Sequence, residues 1–455
     1  MHRSVQAAVR AYLPPADVDQ VLVAAADALV QAWPEPGGGR GGAAGLDQAL
    51  RDCAISLHAV QGPPQEIPAG GDIPRDAPSG PAGSAPPGPG GQNAAPAHDA
   101  LWQPGAHPLL FRLGRSLEDG GLGDSATAHW QYLVAAATRR LGPVHTDSLA
   151  AKERLAVAYE AAGRLGDAIA MFAGALGDRQ RSHGPEHPDT IAARGRLAHA
   201  YASAGLPGDA VALYEQTVAD SSRQLGLGHP VTLAARAGLA GAYADAGRTD
   251  QALTAHQMLS VDTERLLGPR HPTTLAARDS LAAAFLANGQ TREALDRYKS
   301  LLADHEAMSG RDHPDTIAAR ASLASAFRRS GKPKDAIAAY KRVLEDRERL
   351  AGPDHADTRA ARCHLAAAYQ QAGRINEAVQ QYERALADSE RTAGPGNLET
   401  LSTRAGLASA LYAGGRLMEA VAALQRALAD SEHYLGPDHP MTKTVRDNLD
   451  AATRT

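Results

Sequence analysis

From about residue 145 onward the apolar positions fall in paired helical stripes. In the stretch that starts at His187, Leu197, Ala198 and Tyr201 lie on one face at helical spacing and Gly205 ends the run. A second stripe, Ala210, Val211, Tyr214 and Val218, follows and closes at Gly226. The pattern predicts two helices joined by a glycine turn. The first opens at His187-Pro188, where proline suits the first helical position because its missing N–H would be unpaired there anyway. Asp189 and Thr190 suit the positive end of the helix dipole and can satisfy free N–H groups. Gly205 tolerates the left-handed backbone common at helix ends, and the second helix is expected from about Asp209.

The same pair returns every 42 residues. His145, His187, His229, His271, His313, His355, Asn397 and His439 mark the period, with Ser148, Thr190, Thr232, Thr274, Thr316, Thr358, Thr400 and Thr442 three residues on. Gly163, Gly205, Gly247, Gly289, Gly331, Gly373 and Gly415 share it, as do Tyr159, Tyr201, Tyr243, Phe285, Phe327, Tyr369 and Leu411. Seven full units follow His145. A weaker one precedes them, with Leu113, Leu117, Gly121, Ala126 and Trp130 in register, and a closing helix follows His439. A helix pair of this size cannot bury its apolar faces alone, so neighbours must stack. The expected fold is an all-α array of antiparallel helix pairs.

Leu197-Ala198, Tyr201, Gly205, Ala210 and Tyr214 resemble the tetratricopeptide repeat in order and spacing. The 42-residue length and the wording of "GPEHPDTIAARGRLAHAYASAG" are similar to the longer subclass seen in kinesin light chains and many actinobacterial proteins. The resemblance covers roughly residues 105–455. It implies a right-handed superhelical solenoid that binds peptides or other proteins in a concave groove, without catalysis and with no cofactor.

In the resembling family the groove is lined by first-helix residues on the face away from the Leu/Tyr stripe. Carried onto this chain, those positions include Glu153, Arg154 and Glu160, then Arg196 and His199, then Asp245 and Asp279. Further on come Ser322, Ser325, Arg328 and Arg329, then His364, Gln370 and Gln371, and finally Ser409 and Tyr412. They vary between units while the packing positions hold. Where kinesin light chains carry paired asparagines, this chain has pairs such as Glu153-Arg154, Ala237-Gly238 and Cys363-His364.

Two ladders invite a chemical reading. Equivalent histidines in successive units lie at least about 10 Å apart, one helix diameter. A shared zinc needs nitrogen ligands at about 2 Å, so these histidines read as structural punctuation and no metal site is expected. Lys152, Arg194, Arg236, Arg278, Arg320, Arg362, Arg404 and Arg446 form the second ladder, and Asp178, Asp220, Asp262, Asp304, Asp346, Asp388 and Asp430 a third. Each arginine sits three and seven residues before the apolar Leu and Tyr of its helix, on the packed side. An ion-pair ladder between adjacent hairpins is expected, Asp178 with Arg194 and Asp220 with Arg236. No GxxxxGK[ST], HExxH or GxSxG occurs, and GGGRGG at Gly37–Gly42 sits in low-complexity surroundings with no strand before it. An enzyme is not expected.

Net charge is -5, and residues 1–104 hold the whole acidic excess, with 5 basic and 10 acidic side chains. Aromatics are 4% of the chain. Nucleic-acid binding would need a clustered basic surface and stacking aromatics, so it is not expected. Cys53 and Cys363 form no CxxC pattern, and the start lacks a secretory signal, so a cytoplasmic protein without membrane attachment is expected. Residues 4–12, 16–33 and 46–60 have helical patterns. The domain plan is thus a small helical N-terminal segment (1–61), a Pro/Gly-rich disordered linker (62–104) and the repeat array (105–455). The function this points to is a scaffold or adaptor that binds a protein or peptide. The alternative is a peptide-sensing regulatory component with its output through the N-terminal segment.

Overall fold

The computed structural model describes residues 15–33, 48–55, 100–437 and 439–454. Among them the regular elements are helices, with no strand. The chain divides into two compact units, Met1–Asp220 and Ser221–Thr455. Each 42-residue repeat is a hairpin of a 16-residue first helix and a second helix of 18 or 19 residues, as in Pro314–Arg329 followed by Pro333–Ala351. Within each unit successive helices pack side by side, so every hairpin is covered by its neighbours.

The histidine ladder caps helices. At His145, His187, His229, His271, His313, His355 and His439, the ring Nδ1 accepts from the backbone N–H two residues on, at 3.2 Å each time. Asn397 does the same with its side-chain oxygen, accepting from the Glu399 N–H at 2.9 Å. The capping acceptor is what the position requires, which is why asparagine can stand in. At the other end of the first helix, Gly205 has φ +71°. Its N–H donates to the Ala202 carbonyl, and the Leu206 N–H donates to that of Tyr201. This paired closure satisfies carbonyls that the helix leaves open, and it needs a left-handed residue at the turn.

Small residues set the spacing of the stack. Ala198, Ala240, Ala282, Ala324, Ala366 and Ala408 occupy one register position and are fully buried. A larger side chain there would overpack the contact at a cost of about 1–3 kcal/mol.

The arginine ladder is paired, but not with the expected partners. Arg194 donates to Asp220 at 2.5 Å, Arg236 to Asp262 at 2.8 Å, Arg278 to Asp304 at 2.8 Å and Arg362 to Asp388 at 2.5 Å. Lys152 with Asp178, Arg320 with Asp346 and Arg404 with Asp430 close in the same way. Each pair spans 26 residues and joins the two helices of one hairpin. Asp178 pairs with Lys152 and Arg181 rather than with Arg194. The bridge between hairpins comes instead from a glutamate two residues beyond the aspartate. Arg320 donates to Glu306 at 3.0 Å, Arg362 to Glu348 at 2.6 Å, Arg404 to Glu390 at 2.6 Å and Arg446 to Glu432 at 2.7 Å. Two residues is about 200° around a helix, so Asp304 faces its own hairpin and Glu306 faces the next.

Ahead of the repeats, the helix Pro15–Ala32 and residues 48–55 share one apolar cluster with the first hairpin, through Leu22, Ala26, Trp33, Leu50 and Ala54. Arg51 donates to the Ser116 carbonyl at 3.1 Å and to its hydroxyl at 3.0 Å. The helical pattern at 4–12 lies outside the described residues, as does most of the stretch 62–104. Its last residues carry Leu101 and Trp102, which are buried in the same cluster. The first hairpin is irregular at its start: His107 caps Pro108–Asp119, a helix of only 12 residues.

Replacing His313 with alanine should cost about 0.5–2 kcal/mol in urea unfolding, while His313→Asn should be close to neutral. A double-mutant cycle on Arg320 and Asp346 should give a coupling of at least about 0.5 kcal/mol, and the same cycle on Arg320 and Asp304 none.

Candidate functional site

The first helices turn one side into the packed stripe and leave the other open. In Ser221–Thr455 the first helices touch one another directly, Pro272–Ala287 against Pro314–Arg329, then Ala356–Gln371, then Leu398–Ala413. The sixteen residues assigned to the binding face are all half-buried or exposed: Glu153, Arg154, Glu160, Arg196 and His199 in the first unit, and the other eleven in the second. Several of them meet in polar rungs that cross from one hairpin to the next.

In the first unit, Glu153 accepts from Arg179 at 2.7 Å and also pairs with Arg196. Arg154 pairs with Glu118 and lies over the Trp130 ring at 5.5 Å, and Glu118 also accepts from the Trp130 indole at 2.9 Å. Burial pushes the Glu160 carboxyl up, partly offset by His199. Burial, reinforced by Glu160, pushes the Tyr214 hydroxyl up to about 12.

In the second unit, burial raises the Asp279 carboxyl, opposed by a hydrogen bond from Ser322 and by the charge of His305. Tyr298 is pushed up to about 12 by burial and then by Asp279, with Arg329 acting against both. His364 is held below the ordinary histidine range by burial and by Arg328 and Arg347, and its ring stacks on Tyr340 at 5.7 Å. Gln371 donates to the Arg328 carbonyl at 3.0 Å, and Gln370 to the Ser409 hydroxyl at 3.1 Å. Tyr382 lies against Gly406, where a Cβ would come within 2.7 Å of the ring.

Asp245, Ser325 and Tyr412 join none of these rungs. Conversely, the rungs contain side chains that first-helix positions alone do not suggest. Arg179, His305 and Arg347 come from second helices, as do Tyr214, Tyr298, Tyr340 and Tyr382. Their register was available: Arg179, His305 and Arg347 share the 42-residue period, and so do the four tyrosines. Fixed donors, charges and aromatic rings on a packed scaffold can recognise a ligand in extended form, with each rung reading one part of it.

Family profiles with the description tetratricopeptide repeat match residues 147–223, 231–307 and 316–391, and others match 400–440 and 196–258 with 280–351. The chain belongs to the tetratricopeptide repeat family. Such arrays are generally non-catalytic and typically bind proteins. Among solved structures, a putative kinesin light chain from Podosopora anserina with nearly identical repeats is 31% identical, covering 46% of this chain and 98% of that one (TM-score 0.40). BtubC from P. vanneervenii is 19% identical over 53% and 91% of the two chains (TM-score 0.41). A Rap protein complexed with competence and sporulation factor is 14% identical over 97% and 98% (TM-score 0.42). No curated protein matches the chain. Among the described residues of this repeat protein, no helix is long and apolar enough to cross a membrane.

Since burial disfavours the ionised Asp279, its folded state holds a proton more tightly than the unfolded chain. The stability this contributes is present at acid pH and lost as pH rises through the raised value. Asp279→Asn should therefore raise the thermal midpoint near pH 7 relative to the parent, with the difference shrinking toward pH 4.

Proposed function

We propose that this repeat protein is a non-catalytic scaffold or adaptor that binds a protein or peptide along the open side of its first helices. One observation carries the reading. The packing positions repeat almost unchanged in every hairpin, while the open positions differ from one hairpin to the next and carry the charged and aromatic rungs. A scaffold constant in its core and individual on one face is what specific recognition of an extended partner requires. The partner is a protein or peptide, with no nucleic acid and no membrane engaged, and two cysteines outside any CxxC pattern suit the cytoplasm. In the regulatory alternative the output belongs to the N-terminal segment. Leu22 and Ala26 of Pro15–Ala32 are committed to the core of the first hairpin, which favours a capping role for that helix.

A photo-crosslinking residue placed at Ser325 or Tyr412 of the full chain, in cells of its native host, should trap the same partner at both positions. Placed at Met258, which is 57% exposed on a second helix, it should trap none. Adducts at Met258 alone would contradict the assignment of the binding face.

A further inference from the structure

Arg179, His305 and Arg347 occupy one register position on their second helices. A carboxylate stands 26 residues before two of them. Glu153 accepts from Arg179 at 2.7 Å, and the charge of His305 acts on Asp279. Before Arg347 the same position is Ala321. Arg347 spends one guanidinium nitrogen on the Asp357 carbonyl, at 2.6 Å, and has no carboxylate partner among the described residues.

A second basic group, His364, stands at the register position of Arg196, which pairs with Glu153, and Arg328 is a third. Arg328 makes no side-chain hydrogen bond among the described residues, and its Nε is buried without a partner. Arg328 and Arg347 both act on His364. The arginines of the packed-side ladder differ. Arg194, Arg236, Arg278, Arg320, Arg362 and Arg404 each have a carboxylate. Partly desolvated charge left unmatched is costly, so an incoming anion gains more here than at a solvated surface.

We propose that Arg328, Arg347 and His364 form a carboxylate-binding subsite: an acidic group of a bound peptide takes the place that Glu153 fills on its own rung and Ala321 leaves open. This rests on the peptide-binding reading above. Planar guanidinium forks match a carboxylate in two-point fashion, which favours it over a neutral amide. Tyr340, stacked on His364, gives the subsite an aromatic wall. Gln371 fixes the backbone of Arg328 from the next hairpin.

The test is a selection of random twelve-residue peptides on the full chain, repeated on Ala321→Glu and Ala321→Gln. Ala321→Glu supplies the missing carboxylate internally, and Ala321→Gln matches its size without the charge. The parent should enrich peptides with Asp or Glu at one fixed position. Their affinity should fall about tenfold or more in Ala321→Glu and hold within about twofold in Ala321→Gln, with both variants keeping the parent's thermal midpoint to within a few degrees. Selected peptides resynthesised with amidated ends separate the two sources: unchanged affinity assigns the carboxylate to a side chain, loss assigns it to the C terminus. Peptides without acidic enrichment that bind all three proteins equally would overturn the subsite and leave peptide binding standing. Failure to enrich any peptide would overturn both.

Discussion

From Thr146–Ala161 onward, a basic residue near the middle of each first helix, Lys152 and then arginine, is carried into the packed side of the array, and it must meet a carboxylate there. In hairpin after hairpin it does so 26 residues on, in the second helix of the same repeat. The pairing locks the two helices face to face and consumes the charge on the buried side. In the later repeats a glutamate on the preceding hairpin takes the second nitrogen of the same arginine, so one guanidinium ties two hairpins together. With charge balanced inside, the open side of the first helices is free to vary.

That division separates two kinds of basic residue. Those on the packed side have partners supplied by the repeat itself, at constant register. Those on the open side have partners only where a particular rung happens to carry an acid, as Glu153 does for Arg179 and Arg196. Arg328 and Arg347 sit on a rung with alanine in that place. The unmatched site thus lies on the open face, while the packed-side pairs recur at constant register.

The hairpins, their 42-residue register and their boundaries were legible in the sequence, since histidine, or Asn397 in its place, caps the first helix of each full repeat and glycine makes each left-handed turn. The ion-pair ladder was legible in kind but not in partner. Asp178 and Arg194 have suitable charge and spacing, yet the direction of Asp178 around its helix turns it to Lys152, and helix phase rather than proximity in sequence decides the pair. The open face was legible only from its first-helix half. Arg179 and Arg347 were hidden because they lie on second helices, and the tyrosines because tyrosine at those positions reads as core; Tyr214, Tyr298, Tyr340 and Tyr382 are indeed buried rings beside the polar rungs. The late start of Pro108–Asp119 escaped because His107 is out of register with the other caps.

Nuclear magnetic resonance of the arginine guanidinium groups tests the central claim most directly, since it reads whether each head group is held or free to rotate. In the isolated protein, Arg320 and Arg362 should show restricted rotation and slow exchange of their Nη protons, because carboxylates clamp them from two helices. Arg328 should rotate freely at its Nη groups. If Arg328 proved as restrained as Arg320, or if Arg320 and Arg362 rotated freely, the division between an internally matched core and an unmatched open face would not stand.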